Sequence, residues 1–564
     1  MKIKYIALVA SLFLSVGAFA QHNEEVTIEG TYRPKVNKVD KIVLKPETPE
    51  QSFTMPDSEV KVLDIDRRFR LNIEKLSPMA YNTKKGAGDN LAKNFLMAGF
   101  GTSISPLFLF NHNSSLSKSL DLSIGLKHYS SWHNIKEYTP TGFMNNAVEI
   151  GIAKRDFMDM QLRGKVYYRN DACHYYGVKL TEVPAGVTPE KAAPQQQYNT
   201  IGTHWDLSST TTRLGEFKHN VALGYHFLFG KVGGGTEHFA KANYDLAYVD
   251  SWWGKKSHPQ KLGVTVDAQY GLNGFAGQAT VSRGLIRLNP YFEMSGDFYR
   301  LHLGAGVDAA SYFNATTGGI GVYPDVKGSL FVLNNSLEFY AGLNGGRQWR
   351  SYSELIGENP FVYTLSDLEI SKVKLGFEGG IRTNILNRVD VHVGVRYRNT
   401  DHDYFFRQRI DLSGNNPCNS FFVVYDDTKL VSVLGNIRWR AMDKLTVNAG
   451  FTYNKCDPAN EAHAWYRPTT EGELSLNYQL NGALSFDASF LYQGGRWGQQ
   501  SLGKVYQTVK LKDVYDLGLG VNYKIKDQLT VFVKADNLLN RKYQLFVNYP
   551  VVGIEAFAGI KMAF

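Results

Sequence analysis

The sequence predicts an all-β protein, a large antiparallel transmembrane β-barrel of roughly 16–22 strands with 22 preferred. Three observations carry that prediction. Apolar and polar residues alternate with a period of two, in segments of about ten residues, from Asn94 to Phe564. Tight turns rich in Asn and Asp alternate with longer polar stretches, as the two ends of an up-and-down barrel do. Aromatic residues make up 13% of a chain whose mean hydropathy is only −0.28. No apolar run past residue 20 reaches the ~18 residues of a helical span.

Taken in order, residues 1–20 open with Lys2 and Lys4, continue through an apolar run from Tyr5 to Val16, and close on Ala18-Phe19-Ala20. That is the pattern of a cleaved export signal, so the mature chain is expected to begin at Gln21. Without Lys2 and Lys4 the formal charge falls from +9 to +7, mild for this length, and nucleic-acid binding is not indicated. Cys173, Cys418 and Cys456 are an odd, scattered set that suggests neither a disulfide framework nor a CxxC metal site, and no metal ligand set or cofactor is expected. Residues 21–93 form a leader, in which KPETPEQSFTMPDSE has the composition of an extended linker and VKVLDIDRRFRLNIEKL could supply a strand or short helix.

Residues 94–564 carry the barrel pattern. In Arg388–Arg398, Val389, Val391, Val393, Val395 and Tyr397 share one face, while Asp390, His392, Gly394, Arg396 and Arg398 share the other. The split recurs at Leu445–Tyr453 and Tyr515–Tyr523. Tyr397, Tyr453 and Tyr523 each end an apolar face, where an amphipathic ring suits the headgroup level. Short connections are read at Leu333–Ser336, Ile385–Arg388, Ala441–Lys444, Leu480–Ala483 and Ile525–Gln528, and longer ones over 350–370, 455–470 and 494–506. About ten short turns, with a first and a last strand added, give 22 strands. The final segment, GIEAFAGIKMAF, alternates up to Phe564, as a closing strand with an aromatic insertion signal would.

Upstream of that strand, Asp536-Asn537-Leu538-Leu539-Asn540-Arg541-Lys542-Tyr543 resembles the penultimate-strand signature of TonB-dependent receptor barrels, and Phe564 resembles their terminal aromatic. The detailed likeness covers about the last forty residues. Glu24-Glu25-Val26-Thr27-Ile28-Glu29-Gly30 resembles a TonB box, the extended segment that adds a strand to TonB. The resemblance implies an outer-membrane location, transport, and as partners outer-membrane lipid, the barrel assembly machinery and TonB, with other outer-membrane proteins or lipoproteins as further associates. The departure lies in the leader: residues 35–93 are too few for the family's usual folded plug, so a missing or reduced plug is expected, with the lumen occluded.

If the apolar faces meet lipid, Arg382, Arg396, Arg398, Arg438 and Arg440 point into the lumen, with Lys374, His392, Glu378 and Asp390 among them. They would either focus positive potential on a polar or anionic solute or pair with inward carboxylates as a structural ladder. Thr400-Asp401-His402-Asp403-Tyr404 reads as a solvated loop, though oxygen ligation of a cation is conceivable. No GxSxG elbow marks a hydrolase, and no enzyme is expected. Transport is the leading expectation, ahead of a non-transporting assembly barrel and a passive porin.

Overall fold

The computed structural model describes residues 92–564, apart from 184, 211–212, 254–256, 276, 278, 313–318, 334–335, 364–367, 412–417 and 503–504. Its main body is one sheet of 22 antiparallel strands. The first strand, Asn94–Gly101, pairs with Ser105–Ser117 on one side and with the last strand, Glu555–Ala563, on the other, so the sheet has no edge. At the seam the backbone bonds are reciprocal: Asn94 N–H donates to Phe564 O at 2.8 Å and Phe564 N–H donates to Asn94 O at 3.0 Å.

The period-two pattern explains which way each strand faces. Val393, Val395, Val431, Val433, Ile437 and Trp439 lie on the bare outer surface, while Glu378, Arg398 and Ser432 are buried on the inner one. Such an apolar outer band is stable only against lipid, and only a closed ladder satisfies every strand N–H and C=O there. Short turns gather at the end that holds Phe564, which by barrel convention is periplasmic. Leu386 and Asn387, with φ of 53° and 55°, form one of these tight hairpins.

At the opposite, extracellular end the connections are long and carry their own structure. They include a short helix at Tyr352–Glu358 and two hairpins, Trp497–Leu502 with Val505–Lys510 and Gln544–Phe546 with Tyr549–Pro550. Two strands rise above the rest, Val389–Asp411 with 23 residues and Cys418–Met442 with 25.

One sequence expectation needs correcting. Residues 400–404 are not a loop but part of the first tall strand, at a bulge between Thr400 and Asp403 where His402 takes φ 53°. The bulge shifts the pairing by one residue, so that Tyr404, Phe406 and Gln408 stand opposite Tyr425, Val423 and Phe421 above it.

The seam yields a prediction. Removing Phe564 deletes both reciprocal bonds at the closing strand, and the share of barrel that resists unfolding in unheated gel samples should fall several-fold; an unchanged share would mean that closure does not depend on this residue.

Candidate functional site

The lumen is organised in two levels, a lid of extracellular loops above and a polar wall below. Aromatic residues build the lid. Tyr175, Tyr352, Phe361, Phe421, Phe546 and Tyr549 are fully buried, and Phe361 stacks on Tyr549 with ring centroids 3.7 Å apart. Polar tips tie the loops to one another: Tyr176 OH donates to Pro550 O at 2.8 Å, Tyr175 OH to Val362 O at 3.1 Å, and Asn419 Nδ2 to Gly177 O at 2.9 Å. Gln408, at the top of a tall strand, donates to Val547 O and accepts from Ser501 N–H.

Charged groups fasten the lid to the wall. The 352–358 helix starts on Ser351, whose hydroxyl caps Glu354 N–H at 3.1 Å. Its first amides, Tyr352 N–H and Ser353 N–H, donate to the Glu237 carboxylate at 2.6 and 3.0 Å, which places negative charge at the positive helix end. Arg467 forks onto Asp403 at 2.6 and 2.9 Å and also donates to Tyr404 O at 2.7 Å. Tyr404 OH in turn donates to Glu358 Oε2. Burial raises the Glu358 carboxyl above its ordinary range, against the lowering effect of that hydrogen bond and of Arg467.

Beneath the lid the lumen is half filled. Phe239, Leu285, Trp349 and Arg283 are buried against the wall of the sector formed by residues 236–370. The sector from Val389 round to the seam is hollow, a cavity of about 1140 Å³. Its roof is the underside of the lid, including Tyr176, Leu545, Val551 and Val552. Glu338, Asp390, Asp443, Glu473, Asp487, Asp516, Asp536 and Glu555 line it, against Arg382, Arg438, Lys444, Lys534 and Lys561. Eight carboxylates thus face five cations.

The arginines singled out from the sequence are not one cluster. Arg382 sits 3.2 Å from Glu338 and over the Tyr340 ring at 4.2 Å, and Arg396 lies 3.7 Å from Glu378. Arg398 is buried, Arg438 is open to the cavity, and Arg440 is exposed close to a periplasmic turn. The positive focus expected from them is absent in the hollow sector, because inward carboxylates outnumber them. Asp401 pairs with Lys374 at 2.5 Å and Asp403 with Arg467, so the 400–404 carboxylates serve as counter-charges. Phe564 lies on the outer surface at the seam. Residues Glu24 to Gly30 lie outside the described residues.

The penultimate-strand signature has a physical role. Asn537, in the left-handed conformation that Asn tolerates, donates to Arg541 O and Val552 O at 3.0 Å and accepts from Arg541 N–H at 3.0 Å. Asp516 receives Asn537 N–H at 3.1 Å and Tyr543 OH at 2.8 Å. The motif is therefore the hinge that folds the 537–554 loop inward over the cavity.

Solved structures of similar architecture include receptors of the outer membrane. The pyoverdine outer membrane receptor FpvA from Pseudomonas aeruginosa PAO1 superposes with a TM-score of 0.63 at 12% identity, covering 85% of this chain and 79% of that one. The siderophore receptor PirA from Acinetobacter baumannii gives 0.63 at 12%, covering 84% and 80%. The chain has the fold of an outer-membrane receptor barrel. The ferric-catecholate import receptor Fiu from K12 E. coli gives 0.60 at 11%, covering 84% and 82%. No known family profile matches the sequence, and no curated protein does. At such identities this receptor-barrel likeness concerns the fold alone; it matches the fold that the 536–543 signature implied.

The lid residues were not foreseen. Their signal was aromatic density in segments without alternation, such as Tyr543–Tyr549, where a solvated loop would hold few rings.

Two predictions follow from the lid's charges. Replacing Arg467 with Met leaves Asp403 in a half-buried site without its fork, which should cost about 3 kcal/mol of lid stability. Proteolysis of the 459–469 loop would register the loosening. Because Glu358 titrates above its unfolded value, its protonated form favours the docked helix: the contribution is full below about 4.5, the ordinary carboxyl value, and is lost as pH rises through the raised one. Amide exchange in 352–358 should therefore speed up with pH beyond the intrinsic chemical rate, and Glu358→Gln should flatten that excess.

Proposed function

We propose that this chain is an outer-membrane barrel of the receptor type that carries a polar solute through its lumen, in a state closed toward the outside by its loops. The observation behind this reading is the hollow, polar sector of a receptor-type barrel, roofed by a lid that hinges on the Asp516–Asn537–Tyr543 group. An anionic solute is the less favoured cargo, since carboxylates dominate the lining. The fold neighbours include a copper transporter, OprC, as well as siderophore receptors, so the fold by itself does not choose a cargo. In this proposal Glu24–Gly30 couples the barrel to TonB by strand addition, and export by the 1–20 signal delivers it to the outer membrane.

A second reading, a non-transporting barrel within an outer-membrane assembly, draws on the same lid. Loops that share one aromatic core, as Tyr176, Phe361, Phe546 and Tyr549 do, resemble a permanent closure more than a gate. A passive porin fits less well, because extracellular loops roof the hollow sector.

Planar-bilayer conductance separates the readings. The unaltered protein should be silent, also after removal of residues 21–91, because the seal is in the loops. The pair Phe546→Ala and Tyr549→Ala, each costing about 3–5 kcal/mol of packing, should open a conducting lumen. A barrel that stays silent when these rings are gone would favour the assembly reading. In cells, Val26→Pro should weaken TonB cross-linking and uptake together, since proline removes a backbone donor from the added strand; both unaltered would end the energised reading.

A further inference from the structure

We infer that the outer edge of the extracellular hairpin, along Val505–Lys510, is a docking site for an acidic, extended segment of a second polypeptide, which joins the hairpin as a further strand. This holds whether or not the barrel transports.

The first ground is which backbone groups are already taken. Trp497–Leu502 and Val505–Lys510 pair antiparallel without a bulge, from Trp497 opposite Lys510 to Leu502 opposite Val505. The lid bonds the back edge of the first strand at alternate positions. Trp497 O accepts from Tyr466 N–H at 2.7 Å, Gln499 O accepts from Tyr466 OH at 3.3 Å, and Ser501 N–H donates to Gln408 Oε1 at 2.8 Å. In an antiparallel ladder, residues whose backbone groups point away from the partner strand stand opposite residues that do the same. The residues opposite Trp497, Gln499 and Ser501 are Lys510, Thr508 and Tyr506. Their N–H and C=O groups therefore point to the far side, where no described strand pairs with them and no described group bonds them. That side is open, since Tyr506, Gln507, Thr508 and Lys510 are exposed.

The second ground is that the template is fixed in advance. Gly498 lies close against Val547 and Tyr466. The Arg407 guanidinium stands 5.3 Å from the Tyr506 ring, and Lys510 Nζ stands 5.8 Å from the Trp497 ring. A strand added to a rigid edge loses less freedom than one that must order its partner. Exposed edges are normally blunted by a proline, a bulge or a central charge. The stretch VYQTV, Val505 to Val509, has none of these and consists largely of residues that favour strands.

The third ground is charge. From Trp497 to Lys512 the sequence holds Lys504, Lys510 and Lys512 and no carboxylate. Lys510 and Lys512 are exposed. A strand that carries carboxylates is drawn to this hairpin, whereas the same hairpin of a second copy, equally cationic, is repelled. The occupant is therefore a different chain.

The capped peptide Val-Glu-Val-Glu-Val-Glu-Val, added to the full-length barrel, tests the inference. Before addition, amide exchange should be fast at Tyr506, Thr508 and Lys510 and slow at Gln507 and Val509. The peptide should slow the first three on the order of tenfold. Thr508→Pro removes an edge donor without touching the hairpin's own bonds, so it should weaken binding about tenfold, with Gln507 and Val509 still protected. Lys510→Glu with Lys512→Glu should weaken this peptide and favour its counterpart with Lys in place of Glu. Binding that Thr508→Pro leaves unchanged would overturn the inference, as would an unaltered barrel that does not bind the peptide. Disulfide-linked dimers of a Tyr506→Cys barrel would overturn it in favour of a second copy.

Discussion

Everything in this molecule depends on the closing of one hydrogen-bonded ladder. In lipid an unpaired backbone amide costs several kcal/mol, so an outward face as apolar as that of Val389–Tyr397 can exist only if no strand edge is left open. The pairing of Asn94–Gly101 with Glu555–Ala563 removes the last edge, and it joins residues more than 450 positions apart. The period-two pattern then has no freedom left: every outward position meets lipid and every inward position meets the lumen.

Twenty-two strands make a lumen too wide to be filled by strand side chains alone, and the chain answers that in two ways. On one side, large inward residues such as Trp349 and Arg283 fill the space. Over the whole mouth, loops turn inward and bury rings that the wall could not supply. The tall strands make this possible, because Tyr404, Phe406 and Phe421 give the loops an apolar wall to pack on above the membrane level. Closure of the barrel and closure of the pore are thus separate acts, one by backbone and one by side chains.

That separation also explains what the sequence disclosed. Strands, turns and facing were legible, and strand number within the range 16–22, because alternation and tight-turn chemistry are local signals that each segment of Asn94–Phe564 carries alone. The inward position of Arg382, Arg396 and Arg398 was legible for the same reason, but their partners were not. Glu338 and Glu378 lie on neighbouring strands, and pairing with them depends on register, which single segments do not encode. The bulge at 400–403 hid the tall strand, since a cluster of Asp and His breaks the alternation just where the register shifts. The lid was hidden most deeply. Its core unites Tyr175, Tyr352, Phe421, Trp465 and Tyr549, drawn from segments hundreds of residues apart, each unremarkable by itself.

The energetics of the lid constrain how such a barrel could ever conduct. Burying one large ring contributes about 2 kcal/mol, so undoing the contacts of Tyr175, Tyr352, Phe361, Trp465, Phe546 and Tyr549 together would cost on the order of 12 kcal/mol before any hydrogen bond is counted. Thermal fluctuation does not supply that at a useful rate. A smaller movement would involve the 537–554 loop alone, which gives Leu545, Val551 and Val552 to the roof of the hollow sector and is held at Asn537 and by Tyr176, Gln408 and Arg496 on its backbone carbonyls. Swinging it alone exposes Phe546 and Tyr549 and leaves the Glu237-capped helix and the Arg467 fork in place. A passage through this barrel therefore costs least along the hollow sector beside the seam, where one loop and its ties must yield while the rest of the lid stays in place.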